Sequence, residues 1–436
     1  MKTVIAAALM LPALSLPQSA SGQAAETDPL HERIDRAARQ VMEKVIAWRR
    51  DFHRHPELGN RETRTSGIVA EHLRRLGLEV RTGVARTGVV GVLRGGKPGP
   101  VVALRADMDA LPVTEATGLP FASTERAEYN GREVGVMHAC GHDAHTSMLM
   151  GAAEVLAQVK ADLPGSVVFI FQPSEEGAPS GEEGGAAVMI AEGALEHPRV
   201  DAIFGLHVFP FEAGAIHLRP RGLMAAGDTL AIRVRGRQTH GALPWQGVDP
   251  IVVASQIVLG LQTIVSRQSN LTTAPAVITV GVFQAGNRSN IIPDEARLEG
   301  TIRTFDEPMR REIHERVTRT AAGIAEAAGA SADVTITPGN PVTFNDPALT
   351  AKMSPALKRV AAAGFEADAP VTTTSEDFSE YQRRVPGVFF FLGTAPKGVD
   401  PSKAEPNHSP RFMVEEDALV TGVRALASVA ADYLRQ

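Results

Sequence analysis

The sequence predicts an α/β protein in which a large layered domain is interrupted by a smaller α+β layer. From about residue 101, short and continuously apolar runs alternate with helix-like stretches, as a sheet covered by helices on both faces requires. Between about 224 and 338 the texture changes to period-two alternation, in the order strand, helix, two strands, helix, strand. That order is ferredoxin-like. Size agrees, since 436 residues exceed what one hydrophobic core usually serves.

Lys2 is followed by an apolar run through Leu16 and then by Ser-Ala-Ser-Gly-Gln-Ala, with Gly22 and Ala24 as small residues at a cleavage site. Residues 1–24 therefore read as a secretory signal peptide, which implies a periplasmic or secreted product. The run is shorter than the roughly 20 apolar residues that span a bilayer, and no later stretch is expected to span one. Residues 29–77 are helical in pattern. Residues 101–109, 166–172, 202–208 and 388–393 read as buried strands, and three of them end in polar candidates: Asp107 and Asp109, Glu175 and Glu176, and His207. In open α/β sheets the carboxyl edge is where ligands bind, so these residues are expected to converge. In the interruption, helices are expected at about 249–267 and 306–328. The domains are thus 25–223 and 339–436 for the larger unit and 224–338 for the insertion.

Composition narrows the function little. An apolar fraction of 44% and a charged fraction of 22% are ordinary for a soluble globular protein, and a net charge of −6 argues against nucleic acid or an anionic membrane as partner. The lone cysteine cannot form a disulfide within the chain. It sits in His-Ala-Cys-Gly-His-Asp, 138–143, two positions before His142 and ahead of a helix-like run. Cys140, His142, Glu176, His207 and His408 together offer thiolate, imidazole and carboxylate donors, enough for two transition-metal ions. Glu175 precedes Glu176 on an extended segment, where consecutive side chains point apart, so the pair can hold different jobs. A second pair, in Gly-Glu-Glu-Gly at 181–184, follows no strand and reads as a solvated loop. His145, three positions after His142 on the same helix face, is the rival ligand, and Asp109 suits a supporting carboxylate.

Five further stretches match a known pattern in order: Arg-Arg-Asp-Phe-His-Arg-His-Pro-Glu-Leu-Gly at 49–59, Ala-Asp-Met-Asp-Ala-Leu-Pro at 106–112, Met-His-Ala-Cys-Gly-His-Asp-Ala-His at 137–145, Gln-Pro-Ser-Glu-Glu-Gly at 172–177 and His-Gly-Ala-Leu-Pro-Trp-Gln-Gly-Val-Asp-Pro at 240–250. With Asn-Ile-Ile-Pro-Asp at 290–294 and Ser-Glu-Asp-Phe at 375–378, the chain resembles the amidohydrolase branch of the dinuclear metallopeptidases related to aminoacylase. The resemblance implies a metallopeptidase-type catalytic domain with a central mixed sheet, and an inserted lid that makes a homodimer. It implies two divalent ions (zinc, manganese, cobalt or nickel) on Cys140, His142, Glu176, His207 and His408. Glu175 becomes the general base and acid, with Asp109 supporting the site and His145 a neighbour rather than a ligand. Asp107 stands where related peptidases outside this branch carry a metal-binding histidine. From the lid, His240 would donate to the oxyanion, generally in a partner's site, while Asn290 and Arg303 hold the substrate carboxylate. The implied reaction is hydrolysis of N-acyl amino acids or amino-acid conjugates. The alternatives are a dipeptidase or carboxypeptidase with the same apparatus, and a non-catalytic periplasmic binding protein. Two departures fall near the acyl path: a longer loop at 178–183, and Trp245 at a lid position expected to be smaller or more polar.

Overall fold

The computed structural model describes residues 28–436, so the signal-peptide reading of 1–24 lies outside the described residues. Eight strands form one mixed sheet in the order Glu79–Val84, Gly88–Arg94, Pro164–Gln172, Lys97–Asp107, Ala202–Phe209, Gly387–Gly393, Ile216–His217 and Phe365–Glu366. Pro164–Gln172, Lys97–Asp107, Ala202–Phe209 and Gly387–Gly393 run parallel. Their carboxyl ends therefore share one edge.

Burial on both faces explains why these strands read as continuous apolar runs. Leu104, Phe169, Phe204 and Phe390 enter a core shared with Ile34, Val45, Val69, Met148, Leu357 and Leu426 of six helices. Their neighbours Ala103, Ile170, Ile203 and Phe389 face the other side, against Met189, Phe378 and Tyr381. The helical pattern at 29–77 resolves into three helices, Pro29–Gln40, Met42–Arg54 and Thr63–Arg75. Four helices start the same way. Asp28, Asp249, Asp306 and Asp346 each cap the first turn with the side chain and have a proline in the first two helical positions, where its missing N–H costs nothing.

The interruption forms its own antiparallel sheet in the order Ala276–Ala285, Glu295–Thr304, Ala226–Arg235 and Ser331–Thr337. Helices Pro250–Thr263 and Glu307–Ala327 cover it, and Ile232, Ile257, Leu261, Leu298, Ile313 and Val317 make a separate core. One expectation fails here. Pro250–Gln268 is 19 residues long with a hydropathy of 1.3, long and apolar enough to cross a membrane by length and composition. Val253, Ala254, Ile257 and Leu261 on it pack into the inserted core, whereas Val252 and Leu259 are exposed.

Candidate metal centre

The shared carboxyl edge brings the sequence candidates together. Strand Ala202–Phe209 presents His207, and the helix His142–Val159 begins at His142 with Cys140 just before it. Gly141 makes this turn, with φ at +93° and a hypothetical Cβ only 2.3 Å from Val208 Cγ2. Only glycine fits there. The loop at 407–410 is pinned over this turn: the Asn407 side-chain amide donates to the carbonyls of Cys140 and Val208, each at 3.1 Å, and the His408 N–H donates to Ala139 O at 2.7 Å.

Cys140 Sγ lies 3.3 Å from His207 Nε2 and 3.3 Å from His408 Nε2, and His408 Nε2 is 3.0 Å from Glu176 Oε1. Ligand-type atoms of Cys140, His142 and His207 fall within 4.8 Å of one another, as do those of Cys140, Glu176 and His408 and those of His142, Glu175 and Glu176. The cavity over them is about 360 Å³ and also takes in Phe209, Met224 and Arg303. The chain turns at Glu175 and Glu176, so both carboxylates face one cavity rather than opposite sides. Their partners differ: Glu175 Oε1 accepts the Asp377 N–H at 3.3 Å while Glu176 Oε1 stands 3.0 Å from His408 Nε2.

These donors fit divalent cations. His142 is fully buried with its Nε2 not hydrogen-bonded and its Nδ1 facing Asp109, and Glu176 Oε1 lacks an aligned donor although His408 stands beside it. Buried polar atoms are almost always satisfied, so such atoms mark a ligand position. The His207 Nδ1–H donates to Val208 O at 2.8 Å, which fixes the tautomer and leaves the Nε2 lone pair facing Cys140. Burial opposes a charge on His142, yet the Asp107 and Asp109 carboxylates outweigh it and push its pKa up to about 10. The same negative field favours a metal ion. Burial, together with Glu376 and Glu176, holds the Glu175 carboxyl well above the usual range.

His145 has no nitrogen to spare, because Val208 N–H donates to its Nε2 at 2.9 Å and its Nδ1 meets Asp107 Oδ1 at 2.6 Å. Asp109 lies 3.3 Å from His142 Nδ1 and also accepts the backbone N–H groups of Glu175 and Glu176, each at 3.0 Å. Of the inserted-layer candidates, only Arg303 reaches the cavity; its ladder partner is Gly227, where a Cβ would sit 2.3 Å from Arg303 Nη1. His240 and Asn290 are exposed outside that cavity, on neighbouring segments where His240 pairs with Ile291 and the Gly241 N–H donates to Asn290 O at 2.8 Å. The 181–184 stretch is a loop with Gly181 and Glu183 exposed, as read, but Glu182 is tied down: it pairs with Arg61 at 2.6 Å and accepts from the Asn60 side chain at 3.0 Å.

Arg105 was missed, although a lone charge inside an apolar strand is the signal for it. Its guanidinium is fully buried and meets Asp107 at 2.7 Å, Asp377 at 2.8 Å, Gln172 at 2.9 Å and Glu376 at 3.0 Å. Glu62 and Asn407 were missed as well, and no local pattern marks either.

A parallel-sheet edge that gathers thiolate, imidazole and carboxylate donors beside a further, half-buried glutamate is the apparatus of a metal-dependent hydrolase. The model of Peptidase family M20/M25/M40 matches residues 103–432. The chain belongs to this family, and it is a metal-dependent amide hydrolase with a dinuclear centre. Thermostable carboxypeptidase 1 of Saccharolobus solfataricus is 38% identical over 407 residues, 93% of this chain and 99% of that one. N-acyl-L-amino acid amidohydrolase of Geobacillus stearothermophilus is 42% identical over 301 residues, 69% of this chain and 77% of that one. The solved structure of the Bacillus subtilis YxeP protein, described as a dinuclear metal-binding peptidase of the M20 family, superposes with a TM-score of 0.77 at 36% identity, covering 91% of this chain and 99% of that one.

The periplasmic or secreted location expected from residues 1–24 is overturned. Two Bacillus subtilis relatives, N-acetyl-L-cysteine deacetylase and N-acetylcysteine deacetylase, align at 37% over 378 residues and 38% over 394 residues. Nothing in these relatives or in residues 28–436 supports export.

Proposed function

We propose that the protein hydrolyses the amide bond of N-acyl amino acids or small amino-acid conjugates, releasing a carboxylic acid and a free amino acid. The observation that carries this is the one cavity in which Glu175, Glu176, His408 and Arg303 meet. Relatives named N-acyl-L-amino acid amidohydrolase and IAA-amino acid hydrolase ILR1-like 2 point the same way. In this reading Cys140, His142, Glu176, His207 and His408 hold the two ions, and zinc, manganese, cobalt and nickel all accept such donors. When bound, the ions supply a Lewis acid for the carbonyl and make water acidic near neutral pH. Glu175 takes the proton from the attacking water and passes it to the departing amine. Arg303 grips the substrate carboxylate with its planar fork.

The protein acts as a homodimer through the inserted layer, each partner lending His240 to the oxyanion and Asn290 to the carboxylate of the other's site. Support comes from the apolar surface there: Trp245 is 74% and Leu259 70% exposed, and Phe283 is exposed on Ala276–Ala285, the edge strand of its sheet. Such an edge strand and such exposed apolar side chains ask for cover. Sedimentation is expected to give the mass of two chains, and Phe283→Glu to give one chain with little activity. A monomer of full activity would rule out a partner-supplied site.

Relatives named carboxypeptidase keep a second reading in view. The deciding test is release of amino acid from N-acetyl and N-benzoyl amino acids and from unblocked dipeptides, by chelated protein with and without added zinc, manganese or cobalt. The chelated protein is expected to be silent and metal to restore turnover of blocked substrates. Activity confined to unblocked dipeptides makes the protein a peptidase, and silence throughout with metal bound overturns both readings.

A further inference from the structure

The Ser174–Glu176 turn is held from behind by two buried carboxylates on segments distant in sequence. Three consecutive backbone N–H groups donate to them: Ser174 to Glu62 Oε1 at 2.9 Å, Glu175 to Asp109 Oδ1 at 3.0 Å and Glu176 to Asp109 Oδ2 at 3.0 Å. Glu62 is wholly buried, with Oε2 accepting from the Thr87 hydroxyl at 2.6 Å. Ser174 is itself buried at φ +58°, a left-handed conformation that a serine adopts only when its surroundings insist. The packing is close on two further sides, since a Cβ on either Gly59 or Gly184 would stand 2.9 Å from Ser174 Oγ. Of this arrangement only Glu175 and Glu176 line the cavity; Glu62, Asp109 and Ser174 stand behind it.

We infer that Glu62 is a positioning residue for the hydrolysis: by capturing the Ser174 N–H it holds the strained residue that aims the Glu175 carboxylate into the cavity. The inference rests on Glu175 being the base. Asp109 alone ties Glu175 and Glu176 to each other and leaves the turn free to pivot about Ser174, where relaxation to negative φ would swing the next side chain away. Displacing a general base by about 1 Å is enough to lower turnover about a hundredfold. What the clamp needs is an acceptor rather than a charge. Gln at 62 offers a carbonyl oxygen to Ser174 and an amide N–H to the Thr87 hydroxyl, whereas Met fills the space and offers neither.

The test measures kcat, KM and bound metal for Glu62→Met, Glu62→Gln and Thr87→Val, beside Glu175→Gln, in the metal-loaded full chain. Expected are a 30- to 100-fold loss of kcat in Glu62→Met with KM within about twofold and metal content unchanged, recovery of most of kcat in Glu62→Gln, and a several-fold loss in Thr87→Val. A Glu62→Met protein with full kcat overturns the inference, as does one whose activity falls only in step with lost metal. If Glu62→Met fails to fold, Thr87→Val decides alone, and full kcat there overturns it. An active Glu175→Gln would instead remove the assignment of the base, leaving the outcome for Glu62 readable on its own.

Discussion

Glu175→Gln is expected to lower turnover by about a thousandfold while the protein keeps its bound metal. Loss of a positioned general base costs about 10²–10⁴ in rate, and Glu175 would serve twice, on the water and on the leaving amine. The amide cannot take a proton at either moment. Metal should stay because Glu176, not Glu175, stands against His408, and because Asp109 holds the turn through backbone N–H groups that the substitution leaves in place. Metal analysis alongside kcat checks both halves: an active variant removes Glu175 from the chemistry, and an inactive one stripped of metal makes it a ligand.

The four parallel strands were legible because burial on both faces favours long apolar runs, interrupted only where a charge such as Arg105 finds buried partners. Glu79–Val84, largely exposed at the sheet edge, carries no such run. The site was legible where the chemistry is spelled locally, as in the Cys-Gly-His triplet at 140–142 and the Glu pair at 175–176. His207 and His408 lie in plain strand and loop contexts, and only the order of motifs along the chain brought them in. The roles of Glu62 and Asn407 escaped because the partners that matter at the site, the Ser174 N–H and the Cys140 carbonyl, are backbone groups, which carry no mark of their identity in sequence. The anchoring of the loop at 181–184 went unread for a related reason. Glu182 is tied down by Arg61 and Asn60, 121 and 122 positions away, a distance no local pattern spans.

Arg105→Met is expected to be the most damaging substitution for stability, lowering the unfolding free energy by about 3–5 kcal/mol. Arg105 is the cation among three buried acids: its guanidinium meets Asp107, Glu376 and Asp377 within 3.0 Å, and half-buried Glu175 lies in the same field. Methionine fills similar volume but leaves those carboxylates to repel one another in a medium where charge is poorly screened. Lysine should not rescue it, since one ammonium cannot reproduce the planar fork that meets three carboxylates and the Gln172 oxygen together. Removing one of the stranded charges should help, so Arg105→Met with Asp377→Asn is expected to be more stable than Arg105→Met alone, the sign that coupled neighbours give. Urea unfolding of the four proteins of that cycle decides it. If the two losses simply add, Arg105 stabilises the protein by packing, and the charge account of this network fails.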